Sequence, residues 1–223
     1  MDRPLLVVCA LGPEAWALRH GDWSGAPGGP PVLARTGVGR RRARQSATAL
    51  LANDAYGALV VAGFGAAVAP GIEPGEIVVA DEVRDPEGGR YPLDSAPQLA
   101  KALGALGLAT RTGPHHTADH VVRGRERRAL HARGATAVDM EAAAVLAARA
   151  EIRPELPAAV LRVVVDTPER ELIRPGTLLA GVRAWRLLRA AVPALTEWYA
   201  QGGHHPDPRE LPAQPSTLPQ EAS

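Results

Sequence analysis

The chain has 223 residues with a formal net charge of +1 at pH 7, and 46% of its residues are apolar. This is enough chain for one domain with a substantial core, which we predict over residues 1–200, and the near-neutral charge gives no reason to expect nucleic-acid binding. Because Cys9 is the only cysteine, an intrachain disulfide and a cysteine-rich zinc site are both excluded.

The first apolar run, residues 5–10, predicts a buried strand that contains Cys9 as an inert thiol. This run is too short to span a bilayer or to form the apolar core of a signal peptide. We therefore expect a cytoplasmic protein.

Short β-branched runs predict further buried strands at residues 59–62, 76–80 and 159–165. Helical patterns follow or separate them, at residues 40–53, 125–133, 140–150 and 182–199. Strands that alternate with helices favour an α/β layered domain with a largely parallel sheet. The stretch 201–223 is rich in Pro, Gly and charged residues, which predicts a disordered tail with no catalytic role for His204 or His205.

Asp166 directly follows the apolar run AVLRVVV. Open α/β sheets bind ligands at the carboxyl ends of their strands, so this carboxylate is a candidate catalytic group. A cap for a following helix is an equally good interpretation of Asp166. Glu14, just after the first strand, is a second candidate, although it could also be an ordinary residue of a helix start.

Two further features lie on helix starts and loops. Asp139, Met140 and Glu141 open an Ala-rich helical pattern, where acidic residues either complement the helix dipole or, in the case of Glu141, accept hydrogen bonds from the ribose diol. A Gly-rich segment around Gly63 and Phe64 predicts a loop that a ligand can approach closely. The glycine spacing does not fit the dinucleotide fingerprint, and we expect no cofactor.

Four segments in this order resemble the nucleoside phosphorylase/nucleosidase superfamily over residues 5–199: CALGPEAWAL, AGFGAAVAPGIEPGEIVVADE, AVDMEAAAV and RVVVDTPE. Within the superfamily the chain resembles methylthioadenosine/S-adenosylhomocysteine nucleosidase, whose pattern is an early Glu, a Gly-rich loop, a Val-x-Met-Glu-Ala helix start and a Ser-Asp after a strand. The resemblance implies a three-layer phosphorylase/nucleosidase fold with a central mixed, largely parallel sheet flanked by helices.

The resemblance also implies roles for seven residues. Asp166 would protonate purine N7, and Glu14 would orient or deprotonate the attacking water. The other five would bind substrate: Glu141 the ribose hydroxyls, Met140 the underside of the sugar, Val121 the purine edge through its backbone, and Gly63 and Phe64 the sugar and base. These roles suit the reaction, because breaking the glycosidic bond needs a proton on the departing purine and a nucleophile at C1′.

Departures from the family pattern bear on the nucleophile and on the substrate. The family's loop serine is Phe64 here, and the serine before the catalytic aspartate is Val165, which predicts an unusually apolar pocket. Phosphate-binding arginines of the hexameric phosphorylases are replaced by the segment around Glu14 and by Val61, which favours water over phosphate. Phosphorolysis stays open, since Arg35, Arg40 and Arg41 could rebuild a phosphate site.

The stretch VVVDTPERELIRPGTLLAGVRAWRLLRAAVPALTEWY resembles the hopanoid-associated phosphorylase family, which implies adenosylhopane as substrate, with adenine and ribosylhopane as products. Alternatives are methylthioadenosine/S-adenosylhomocysteine nucleosidase, futalosine hydrolase (which carries Asn at the Asp166 position) and an inactive member that only binds a nucleoside or lipid.

Three expectations concern partners. His116 and His120 are four apart but have no carboxylate in a ligand pattern, so we expect no metal site. The resemblance implies a homodimer or larger assembly whose neighbouring subunit closes the pocket. Arg183, Arg186 and Arg189 lie on one side of the helical pattern 182–199, which is either an ordinary solvated face or a peripheral contact with anionic lipid.

Overall fold

Eight strands join in one mixed sheet in the computed structural model, which describes residues 3–53, 55–168 and 177–202. The strands are β1 (Leu5–Cys9), β2 (Val32–Arg35), β3 (Ala58–Ala67), β4 (Ile77–Arg84), β5 (Arg90–Pro92), β6 (Thr110–Thr117), β7 (Ala137–Asp139) and β8 (Ala158–Asp166). The helices are α1 (Gly12–Arg19), α2 (Arg40–Leu51), α3 (Ala96–Ala105), α4 (Gly124–Ala132), α5 (Ala142–Ile152), α6 (Thr177–Ala190) and α7 (Val192–Ala200).

Five of the strands form a closed circuit. β3 pairs in parallel with β8, β8 pairs antiparallel with β4, β4 and β6 are parallel, β6 and β7 are parallel, and β7 returns antiparallel to β3. β1 and β2 extend the sheet in parallel from β3, and β5 pairs antiparallel with β4. The predicted mixed, largely parallel sheet is confirmed.

Helices cover both faces of this sheet and give it three layers. One apolar cluster joins alternate residues of β1, β3 and β8 to α1, α3, α6 and α7, with Trp198 and Tyr199 as its largest buried side chains. A second cluster joins the opposite strand faces to α2 and α5. Strands that are apolar on both faces are buried on both, as expected where helices flank a parallel sheet.

The predicted elements are present, with different limits in several places. β3 continues through the Gly-rich segment, so Gly63 and Phe64 lie in a strand and not in the predicted loop. The pattern at residues 182–199 is divided between two helices, α6 and α7. The helix is interrupted at Ala191, and Pro193 occupies the first turn of α7. Apart from Gln201 and Gly202, the predicted tail, with His204 and His205, lies outside the described residues. Within the described part of the chain, no helix is both long and apolar enough to cross a bilayer.

Candidate active site

A cavity of about 240 Å³ opens at the edge of the sheet where β3, β7 and β8 meet. Ala66 of β3 lies beside both Val138 of β7 and Asp166 of β8. The cavity brings together three carboxylates that are far apart in the sequence, those of Glu14, Glu141 and Asp166. Its other lining residues are mostly apolar: Ala10, Leu11, Val38, Phe64, Gly65, Ala66, His120, Val121, Val122, Val138, Asp139, Met140 and Val165.

Glu14 is held rigidly by backbone donors. Its Oε2 accepts hydrogen bonds from the amides of Ala10 (2.9 Å) and Leu11 (2.7 Å), and its Oε1 accepts one from the amide of Phe64 (2.7 Å). Burial raises the pKa of the Glu14 carboxyl, although these hydrogen bonds and Arg162 partly oppose the rise. Glu14 is thus a fixed, buried carboxylate suited to accept a proton.

Gly63 explains how Glu14 can sit so close to β3. A Cβ at Gly63 would lie 2.5 Å from Oε1 of Glu14, so any side chain there would displace the carboxylate. Gly63 is not among the residues that line the cavity. Its place behind Glu14 differs from the expected contact with the sugar or base, whereas Phe64 does line the cavity.

Asp139 and Glu141 make different contacts at this helix start. Asp139 serves the helix, since its Oδ1 accepts from the amides of Glu141 and Ala142, both at 3.3 Å, and from Thr117 Oγ1 at 2.7 Å. Glu141 is the N-cap residue of α5 but makes no side-chain cap; its Oε1 accepts from the amide of Gly39 at 2.9 Å. Burial raises the pKa of Glu141, which lines the cavity.

Arg162 is the buried cation behind these acids. Its Nε and Nη2 donate to Oδ2 of Asp139 at 3.0 and 2.5 Å. Burial alone would lower the pKa of the Arg162 guanidinium, but Asp139, Glu141 and Glu14 raise it overall. The ion pair with Arg162 in turn holds the pKa of Asp139 below its ordinary value, against the opposing effect of burial. Arg162 was not among the residues predicted from the sequence, although a lone arginine inside a buried strand requires an acidic partner.

Asp166 ends β8 and is 2% exposed. The two residues that follow it, Thr167 and Pro168, are not helical, so Asp166 does not cap a helix that starts directly after it. Its Oδ2 accepts a hydrogen bond from Arg127 Nη2 of α4 at 2.7 Å. Its Oδ1 is buried and has no hydrogen-bond partner among the described residues. This ion pair was not expected, because Arg127 lies among several arginines in a helix that looks solvated throughout.

The remaining predicted residues lie at the cavity as expected. Met140 lines it between the two acidic neighbours, and Val121 lines it with an exposed side chain. Phe64 and Val165, which replace the family's serines, both contribute to the apolar wall of the cavity.

The two histidines considered as metal ligands are not on a helix. His116 lies in β6 and His120 in the loop after it, so their spacing is not helical. No group of three or more potential metal ligands is found within the described residues.

The sequence model of the phosphorylase superfamily matches residues 10–192. No curated protein matches the chain. Similar solved structures include the 5′-methylthioadenosine/S-adenosylhomocysteine nucleosidase of Campylobacter jejuni, with a TM-score of 0.73 and 15% identity over 87% of this chain and 99% of that one.

Two other solved structures have similar folds. The 5′-methylthioadenosine/S-adenosylhomocysteine nucleosidase of S. pneumoniae, solved with the transition-state inhibitor MT-ImmA, has a TM-score of 0.66 and 25% identity over 86% of this chain and 99% of that one. A futalosine hydrolase mutant of Helicobacter pylori has a TM-score of 0.70 and 14% identity over 89% of this chain and 99% of that one.

Proposed function

This chain belongs to the phosphorylase superfamily, and we propose that it is an N-ribosidase that hydrolyses the bond between adenine and the ribose of a 5′-substituted adenosine. The observation that carries the proposal is the single cavity into which Glu14, Glu141 and Asp166 converge. Such a reaction needs three groups: a general base near the sugar, a hydrogen-bond acceptor for the ribose diol and a general acid near the purine.

The three carboxylates act on different atoms of the substrate. Asp166 gives a proton to purine N7 as the bond between C1′ and N9 breaks, so that adenine leaves as a neutral molecule. Glu141 accepts hydrogen bonds from the ribose hydroxyls. Glu14 takes a proton from the water whose oxygen bonds to C1′, and the products are adenine and a free ribose carrying the 5′ group. The proton that Glu14 gains and the one that Asp166 loses are exchanged with solvent before the next turnover.

Replacing Asp166 tests this assignment directly. We expect Asp166→Asn to fold normally, because Asn can still accept the hydrogen bond from Arg127, and to release adenine at least about 10²-fold more slowly. Adenine release from methylthioadenosine, with circular dichroism as the folding check, measures both. Turnover close to that of the unchanged protein would overturn the role of Asp166.

Water is the proposed nucleophile because the described lining of the cavity contains no arginine or lysine to hold phosphate. Arg40, one of the candidates for a rebuilt phosphate site, pairs instead with Glu87 and with Asp119. Adenine release should therefore proceed in phosphate-free buffer and give a free reducing sugar. A strict phosphate requirement with ribose 1-phosphate as product, seen by mass spectrometry, would establish phosphorolysis.

The 5′ substituent is proposed to be apolar, and adenosylhopane is the specific candidate. Three exposed apolar side chains, those of Leu11, Val38 and Val121, line the cavity, and Phe64 and Val165 make its wall apolar. Rates with adenosylhopane, methylthioadenosine and S-adenosylhomocysteine discriminate the candidates. A preference for methylthioadenosine would favour the ordinary nucleosidase, and no adenine from any of them would indicate an inactive binding member.

Three further proposals concern the location of the protein, its assembly and its contact with membranes. The protein acts in the cytoplasm as a homodimer or larger assembly, whose neighbouring subunit covers the exposed apolar residues at the cavity; sedimentation measures the assembly. It contacts membranes peripherally to reach a lipid-linked substrate, and exposed arginines on α6 support that contact.

A further inference from the structure

One nitrogen of Arg127 donates hydrogen bonds both to Asp166, the proposed general acid, and to the backbone beside the proposed adenine pocket. Arg127 Nη2 lies 2.7 Å from Oδ2 of Asp166 and 3.2 Å from the carbonyl oxygen of Val122. Asp166 and Val122 both line the cavity, whereas Arg127 stands behind them. Arg127 thus links β8 to the loop that follows β6 at the point where the two meet the cavity.

This contact has an evident cost in stability. Arg127 is 2% exposed, and its Nε and Nη1 have no hydrogen-bond partner among the described residues. Burying a charged group whose donors are incompletely satisfied is unfavourable, and an apolar side chain would fill the same space without that penalty. An arginine that only supported packing would be a poor choice here, so a role at the active site is the better explanation.

We propose that Arg127 is a positioning residue that orients Asp166 for proton donation to the base, an inference that rests on the proposed function. A guanidinium stays protonated and cannot itself protonate the purine. Because Nη2 donates to Oδ2 of Asp166, the proton of the acid form is carried by Oδ1, the oxygen that has no partner within the described residues. The bond to Val122 fixes the same guanidinium to the loop beside the base, so acid and base pocket keep one relative position.

Positioning of this kind affects only reactions that need the proton. Losing the Arg127 contact leaves the Asp166 carboxyl free to rotate, and misplacement by about 1 Å can cost up to about 10²-fold in rate. A riboside whose leaving group departs as a stable anion, such as 4-nitrophenyl β-ribofuranoside, needs no proton from Asp166. The two substrates therefore separate orientation of the acid from any general damage to the site.

The test compares Arg127→Met with Arg128→Met, which removes an exposed arginine from the next position of the same helix. We expect Arg127→Met to lower kcat for adenine release from methylthioadenosine by about 10-fold or more, with KM changed less than about 3-fold. Its rate on the nitrophenyl riboside should change less than about 3-fold, and Arg128→Met should leave both rates unchanged. Arg127→Lys keeps the charge on a shorter side chain without the planar guanidinium, so we expect a smaller loss confined to adenine release.

Two results would overturn the proposal: equal losses on both substrates, which would give Arg127 a structural role alone, or no loss of adenine release in a folded Arg127 variant. If Arg127→Met does not fold, Arg127→Lys decides by the same comparison. Asp166→Asn, measured alongside, tests the proposed function separately. If Asp166→Asn keeps full adenine release, the acid assignment fails; if it loses that activity while the Arg127 variants do not, only the positioning role fails.

Discussion

At the scale of single residues, the cavity is surrounded by more buried acidic side chains than buried basic ones. Arg162 donates two hydrogen bonds to Asp139. Its charge opposes the rise in the pKa values of Glu14 and Glu141 without a hydrogen bond to either. Burial therefore dominates at both glutamates and raises their pKa values, while Asp139 stays ionised. One carboxylate is used for structure, and two are left with unusual basicity at the cavity.

The raised pKa of Glu14 predicts how activity depends on pH. Glu14 must be ionised to take a proton from water, so adenine release should fall as pH drops through a value above the 4.5 of an ordinary glutamate. Rates measured from pH 4 to 8, with folding followed by circular dichroism, locate this acid limb.

Glu141→Gln provides the control, because the pKa of Glu141 is raised as well. Residual activity of Glu141→Gln should keep the acid limb if Glu14 is the base. An acid limb at or below 4.5, or its loss in Glu141→Gln, would contradict the assignment to Glu14.

The position of Glu141 predicts a selective effect on the sugar. Glu141→Ala should lower kcat/KM for a ribose substrate by about 10-fold or more beyond any loss for the 2′-deoxy analogue. The reason is that a hydrogen bond to a charged group contributes about 1.5–3 kcal/mol. The measurement is kcat/KM for methylthioadenosine and its 2′-deoxy form. Glu151→Ala, at the other end of α5, should change neither value. Equal losses for both sugars would remove the diol-binding role.

The sequence predicted three acids that line one cavity but not the residues that surround them. Glu14, Glu141 and Asp166 follow strands or open a helix, and such positions are visible in a linear pattern. Arg162 and Arg127 are not, because one interrupts an apolar strand and the other lies in an arginine-rich helix. Their importance comes from partners in distant parts of the chain, Asp139 and Asp166.

At the scale of elements, long apolar strands were predictable and short ones were not. β8 and the first half of β3 are runs of buried residues whose apolar pattern is visible in the sequence. β7 has three residues and β2 four, with β2 only partly buried, so neither shows a period. These short strands exist because neighbouring strands provide their hydrogen-bond partners.

α6 carries the feature proposed to contact lipid. Its exposed arginines, Arg183, Arg186 and Arg189, accompany Trp185, whose ring lies 4.5 Å from that of the exposed Trp16 on α1. Cationic and aromatic side chains together are typical of surfaces that bind anionic membranes, although an ordinary solvated helix face has the same arginines.

Vesicle co-sedimentation distinguishes these interpretations. Changing Arg183, Arg186 and Arg189 to Gln should weaken binding to anionic vesicles, by about 1 kcal/mol for each arginine at low salt, and binding should fall as salt rises. The matched control changes three exposed arginines in and just after α4: Arg125, Arg128 and Arg133. No binding by the unchanged protein, or an equal effect of the control, would make α6 an ordinary solvated helix.

At the scale of the whole molecule, the site depends on closure of the sheet. Glu14 follows β1, Glu141 follows β7 and Asp166 ends β8, and β3 touches all three of these strands. Family resemblance predicted this three-layer arrangement and its mixed sheet. The closed circuit itself was not predicted, because antiparallel returns such as β7 to β3 leave no mark in either sequence segment.

Closure also fixes the order in which a growing chain can become active. β3 is complete early in synthesis, yet two of its partners, β7 and β8, are made much later. Until then a long apolar strand emerges from the ribosome with an unpaired edge, which favours association with other chains or with chaperones. Asp166 is the last residue of the last strand within the described part of the chain, so a nascent chain would contain the proposed general base, Glu14, and the proposed ribose-binding Glu141 before the proposed acid. The proposed reaction can begin only when nearly the whole domain has been translated.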